Sequence, residues 1–189
     1  MDTIYFDIEC NGLLDTVDRI ICIGWKRKGQ QPVIAVTSDQ INEALRAIRL
    51  ADIVIGHNVI AFDLPVLRKL FPQWRGPGGV VRDTLVLARL THPDIKDDDF
   101  QTEGFPSELI GSHSLKAWGY RLGMHKGTAM ENVDWRSLEY TDEIGDYCKQ
   151  DVNITDSLYC RLHSKIGSED SVILEHDFAE TIYEQMRNG

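Results

Sequence analysis

The chain is 189 residues long, with 42% hydrophobic and 26% charged residues, which suits one globular domain with a sizeable core. Its formal net charge of −10 argues against a domain that grips duplex nucleic acid through a broad basic surface, though not against an enzyme that holds a chain end through metal ions. No apolar run approaches the roughly 20 residues of a membrane span, and no signal peptide is read at the start.

Residues 3–9, about 19–26 and about 32–36 are predicted to form three successive strands, with turn signals at Asn11-Gly12 and Lys28-Gly29. Their short connections favour an antiparallel meander. In the first strand Asp7 and Glu9 sit two positions apart among the β-formers Ile4, Tyr5, Phe6 and Ile8, so both carboxylates point to one face. Burying two like charges side by side is costly unless a cation lies between them; the alternative is an acidic pair facing water.

Thr37 and Gln40 form a capping box, followed by Ile41, Ala44, Leu45 and Ile48 at helical spacing. Ile53, Val54 and Ile55 make a short buried strand ending at Gly56. A helix with Pro65 in its first turn and Val66, Leu67, Leu70 and Phe71 on its inner face comes next. Asp63 falls near that helix's N-terminus, where capping is its ordinary role. Val80-Val81 is a last short strand, and Asp83 caps a helix that stops before Pro93.

Residues 94–111 carry Asp97, Asp98, Asp99 and Glu103 without periodicity and read as a solvated loop. Ser112 opens a helix with Leu115, Trp118 and Leu122 on one face, closed by Gly123. Met124 to Ser137 is mixed and polar, a mobile connection. The longest helix is expected from about Thr141 to His163, with Tyr147 and Asp151 on one face; a final helix spans about 169–188. Cys10, Cys22, Cys148 and Cys160 form no C-x-x-C pair and lie in apolar patterns, which predicts reduced, buried thiols. Three antiparallel strands followed by alternating strands and helices predict a layered α/β fold with one mixed sheet.

D-x-E (Asp7, Glu9), N-x-x-x-F-D (Asn58 to Asp63) and Y-x-x-x-D (Tyr147 to Asp151) resemble, in order, the three exonuclease motifs of the DEDD superfamily. Tyr147 lies four residues before the aspartate, as in the tyrosine branch; the other large branch carries a histidine one position earlier, where this chain has Asp146. Three further stretches resemble the proofreading domains of bacteriophage family-A DNA polymerases. They are Asp83-Thr-Leu-Val-Leu-Ala-Arg-Leu90, Gly111-Ser-His-Ser-Leu-Lys-Ala-Trp-Gly-Tyr-Arg-Leu-Gly123 and Asp146-Tyr-Cys-Lys-Gln-Asp-Val152.

That resemblance implies an RNase H-like fold, a central mixed five-stranded sheet flanked by helices. It implies hydrolysis of DNA 3′ ends, single-stranded or frayed, to nucleoside 5′-monophosphates, as in proofreading during replication. Asp7, Glu9, Asp63 and Asp151 would hold two Mg²⁺ or Mn²⁺ ions, hard oxygen donors suiting these better than zinc. Tyr147 would orient the attacking water, a role that suits an ordinary phenol better than proton abstraction does. Leu13 falls where the family places an apolar wedge against the terminal bases; a core leucine is the alternative, Leu14 being equally available. Asn58 would meet the substrate backbone, or cap a turn. No role is read for His57 or His113.

The resemblance further implies an exonuclease domain over residues 1–166 and a C-terminal helix, 167–189, similar to the start of a polymerase domain. The expected partner is therefore a polymerase, linked or separate, in the cytoplasm of an infected bacterium. The last helix would then leave part of its Leu174, Phe178 and Ile182 stripe uncovered. An RNA-trimming exonuclease of the same branch and an inactive scaffold domain are the alternatives.

Overall fold

The computed structural model describes residues 1–124 and 133–188. Most of the polar connection expected from Met124 to Ser137 therefore lies outside the described residues. Among the described residues five strands form one sheet in the order β3-β2-β1-β4-β5, with β1 (Thr3–Cys10) in the middle. β2 (Ile20–Arg27) and β3 (Val33–Ala35) continue from β1 as the expected antiparallel meander. β4 (Ile53–Gly56) and β5 (Val80–Asp83) lie parallel to β1 on its other side. The carboxyl ends of β1, β4 and β5 therefore meet at one rim of the sheet, next to the point where strand direction switches.

The period of two in β1 divides the core. Ile4, Phe6 and Ile8 face one layer with α1 (Ser38–Leu50) and α2 (Asp63–Leu70), packing among Ile41, Leu45, Ile48, Leu64 and Leu67. Tyr5 faces the opposite layer, where it meets Ile55 and Val152 of α6 (Asp142–His163). α1 starts at the predicted capping box, with Thr37 and Gln40 each satisfying the other's backbone. α3 (Thr84–Thr91) begins at Asp83, whose side chain accepts from the Leu85 N–H. Behind α6 a second apolar cluster joins Leu87 and Ala88 of α3, Trp118 of α5 (Leu115–Arg121), Leu158, and Val172 of α7 (Glu169–Asn188). No helix among the described residues is long and apolar enough to cross a membrane.

Three sequence expectations need correction. Residues 94–111 are not simply a solvated loop: α4 (Ile95–Gln101) and a 3-10 turn (Ser107–Leu109) form there. Ile95 and Asp99, four apart, are buried on one face of α4. Arg121 makes this possible, donating from Nε and Nη2 to the two Asp99 carboxylate oxygens at 2.8 and 2.7 Å. α5 is capped by Ser114 rather than opened by Ser112, since Ser114 Oγ accepts from the Ala117 N–H. Cys10, Cys22 and Cys148 are free and buried, but Cys160 is exposed on α6, its thiol directed to Asp156.

Candidate active site

Asp7 and Glu9 take their direction from the pleat. With Ile4, Phe6 and Ile8 committed to the α1–α2 layer, the odd-numbered side chains of β1 face α6. Glu9 is buried and Asp7 half-buried.

Asp63 comes from a different element. It is the first residue of α2, one position past the N-cap, Phe62, which makes no side-chain hydrogen bond. Asp63 Oδ1 accepts the Ile8 N–H at 3.2 Å, from the backbone unit between Asp7 and Glu9. Burial pushes the Asp63 pKa up to about 7, and the charges of Asp83 and Asp151 push the same way against backbone hydrogen bonds that lower it.

Asp151 is buried and Tyr147 half-buried, one helical turn apart on α6, which packs against β1 and β2. The closeness of that packing depends on Gly24, which lies opposite Asp7 in the β1–β2 ladder. A Cβ at position 24 would come within 2.7 Å of Cys148 Sγ and 3.3 Å of the Cys148 carbonyl oxygen. The absence of a side chain there lets α6 lie directly over Asp7.

Cys148 is the neighbour that sequence reasoning missed. Its Sγ lies 3.7 Å from both the carbonyl and Oδ2 of Asp7. Asp7, Glu9 and Cys148 each offer a ligand atom within 4.8 Å of the others. A hydrogen bond with Cys22, burial and the Asp7 carboxylate together hold the thiol pKa well above its ordinary value. The thiol stays protonated, so the donors available are hard carboxylate oxygens. Like charges crowded at a half-open rim, one with its pKa raised to about 7, fit a divalent cation.

Of the residues expected to touch substrate, Leu13 shares a cavity with Glu9, whereas Asn58 lines a different one. Leu14 packs on the core, whereas Leu13 is 76% exposed, so the wedge position is open to a ligand. The loop presenting Leu13 is fixed by Lys69, whose Nζ donates to the carbonyls of Leu14 and Asp15 at 2.8 and 3.1 Å. A cavity of about 290 Å³ runs between Glu9, Leu13, Phe62 and Trp135. Asn58 has a left-handed φ of 62°, and its N–H donates to Asp83 Oδ1 at 2.8 Å. His57 pairs through Nδ1 with Thr84 Oγ1 at 2.9 Å. A second cavity of about 560 Å³ is lined by His57, Asn58, Arg89, Ser112 and His113 among others.

Asp83 does more than the predicted capping. Besides Leu85 and Asn58 it accepts the Ile60 N–H at 3.1 Å, tying the turn after β4 to the start of α3. The sequence signal for this was the Asp83-Thr84 pair at a strand–helix junction, but the N–H groups that donate to Asp83 lie more than twenty residues away.

No protein-family profile matches the chain. It is 31% identical over 227 aligned positions to the DNA-directed DNA polymerase of Escherichia phage T7, covering 97% of this chain and 32% of the polymerase. The chain thus spans about a third of the length of that relative. Its fold is similar to Brucella melitensis NrnC (TM-score 0.70, 18% identity, 100% of this chain and 86% of the other). It is also similar to Escherichia coli RNase D, an exoribonuclease (TM-score 0.65, 16% identity, 97% and 44%). NrnC has been solved with bound Mg²⁺ and with bound pGG. The fold is the expected RNase H-like α/β architecture with its mixed five-stranded sheet.

Proposed function

We propose that this chain, a homologue of the T7 polymerase along 97% of its own length, is a metal-dependent 3′–5′ exonuclease of the DEDD type that shortens single-stranded or frayed DNA ends. One observation carries the reading. Asp7 and Glu9 lie on one face of β1, Asp63 of α2 accepts the Ile8 N–H between them, and burial together with the charges of Asp83 and Asp151 raises the Asp63 pKa to about 7. A fold gains nothing in stability from buried carboxylates held together without a cation.

Asp7, Glu9, Asp63 and Asp151 are the residues that would hold Mg²⁺ or Mn²⁺. Two such ions, when bound, acidify water and stabilise the leaving oxygen of a phosphodiester. The chain's own groups do the rest. Tyr147 orients the attacking water from the same helical face as Asp151. Leu13, Phe62 and Trp135 flank the terminal base and keep it unstacked from its neighbour. Asn58, five residues before Asp63, meets the backbone of the strand. The Cys148 thiol, directed at Asp7, fills the α6 side of the cage.

Homology to a DNA polymerase favours DNA, replication and a polymerase as partner, linked or separate. The outward face of α7 suits that partner: Leu174 and Phe178 are 68% and 61% exposed, while Ile182 is half-buried. The fold likeness to RNase D favours the second reading, RNA trimming. Matched 5′-labelled DNA and RNA oligonucleotides, digested side by side with Mg²⁺, separate the two. The expected result is a ladder shortening from the 3′ end, faster on single-stranded DNA than on RNA or blunt duplex. Faster trimming of RNA would replace the first reading with the second.

A further inference from the structure

We propose that His176, on the C-terminal helix, is a positioning residue for the carboxylate site. It acts through a relay of hydrogen bonds that runs from α7 to Asp63. The inference rests on the nuclease reading for its consequence, but not for its geometry.

α7 is seated on the body by Val172, fully buried among α3, α5 and α6, and by an ion pair between Glu169 and Arg82 of β5. One turn beyond Val172, His176 is buried, with 7% of its surface exposed. Its Nδ1 lies 2.8 Å from the Val172 carbonyl oxygen, which can only accept, so Nδ1 carries the proton. Nε2 then presents a lone pair, and the backbone N–H of Asp83 donates to it at 2.9 Å. Burial lowers the His176 pKa, which favours this neutral tautomer.

Its own helix satisfies only Nδ1, and a buried Nε2 needs a donor of its own. It finds that donor in the residue that organises the rim. Asp83 ends β5, caps α3, and accepts the N–H groups of Asn58 and Ile60 at 2.8 and 3.1 Å. Asn58 adopts a left-handed conformation that costs a non-glycine residue energy, so the turn needs outside support to hold that shape. The turn continues through the bonds of Phe62 N–H to the Asn58 carbonyl and Leu64 N–H to the Val59 carbonyl, at 3.1 and 3.0 Å. It delivers Asp63 to its bond with the Ile8 N–H of β1. Four links thus connect α7 to the carboxylates: His176, Asp83, the Asn58–Ile60 turn and Asp63. α7 carries no proposed cation ligand, yet it sets the position of one.

Two substitutions in the full chain test this. In His176→Gln the amide oxygen can occupy the place of Nε2 and keep an acceptor for Asp83; His176→Leu removes it. Glu180→Ala, on the exposed face of the same helix, serves as a control that leaves the relay intact. The first readout is amide hydrogen exchange of the metal-free protein, which does not depend on activity. His176→Leu is expected to raise exchange about tenfold in segments 57–63 and 80–86 with α1 unchanged, a local opening rather than global unfolding. His176→Gln should stay within about twofold of the parent, and Glu180→Ala should show no selective change at 57–63. The second readout is cleavage: the Leu variant should need several-fold more Mn²⁺ for half-maximal rate, with KM for the oligonucleotide unchanged. Unchanged protection at 57–63 in His176→Leu, a uniform rise across the chain, or a Gln variant that behaves like Leu would each overturn the proposal. If no variant or parent cleaves, the exchange result still decides the relay, and only the nuclease reading falls.

Discussion

Asp7 and Gly24 face one another across the β1–β2 ladder, and that pairing makes the helix-borne half of the site possible. A methyl group at position 24 would meet Cys148 Sγ at 2.7 Å and the Val152 side chain at 3.2 Å, both buried side chains of α6. The helix would have to retreat, taking Tyr147 and Asp151 with it. Gly24→Ala is therefore expected to cost about 1–3 kcal/mol in overpacking. Cleavage should fall about 100-fold, the scale of a misplacement near 1 Å at a reacting centre. Thermal unfolding and kcat measure the two effects. Adding Cys148→Ala should restore part of both by making room, and a Gly24→Ala protein with unaltered kcat would contradict this account of α6.

At the scale of elements, the wall beyond α5 is held by buried polar groups around Trp118. The Arg121 guanidinium lies 4.8 Å from the Trp118 ring and 5.2 Å from Phe105 while pairing with Asp99, and His92 meets Trp118 edge-on at 5.2 Å. Asp99 also accepts the Gly111 N–H at 2.8 Å, fixing the loop that reaches the His113 cavity. Burial and the nearby cations Lys165 and Arg161 push His92 down to about 4, with His113 acting the same way and Asp98 opposing. An unfolded histidine titrates near 6.5, so between about 6.5 and 4 the unfolded chain binds a proton that the folded one refuses. Stability from this group is complete above about pH 6.5 and is lost as pH falls toward 4. His92→Phe keeps a ring against Trp118 and removes the titration. Its thermal midpoint should vary less steeply with pH across that window, and an equal slope would count against the assignment.

The same elements separate what local sequence could and could not reveal. The alternation in β1, the Thr37–Gln40 box and the Tyr147–Asp151 spacing are written within a few residues and were legible. Asp99 was read as a solvated charge because its partner stands 22 residues away. Asp83 was legible as a cap but not as the holder of Asn58 and Ile60, 25 and 23 residues distant, nor as the partner of His176, 93 residues distant. Cys148 beside Asp7, at a separation of 141, follows only from how α6 crosses the sheet. Leu13 and Leu14 could not be told apart until the loop after β1 turned one inward and left the other exposed.

For the whole molecule, the acid balance and the carboxylate rim point the same way. A net charge of −10 disfavours a broad grip on duplex backbone, and on the proposed reading a strand end enters where cations neutralise the approach. Activity should accordingly be absent without a divalent ion, whatever the DNA concentration. The most direct test incubates a 5′-labelled single strand with the protein in Mg²⁺, in Mg²⁺ plus excess chelator, and with Asp7→Ala in Mg²⁺. The account predicts a stepwise ladder in the first reaction only, with Asp7→Ala slowed about a thousandfold or more, a loss of ~4 kcal/mol in transition-state stabilisation. A strand left intact by the parent protein in both Mg²⁺ and Mn²⁺, or a ladder that survives the chelator, would contradict it.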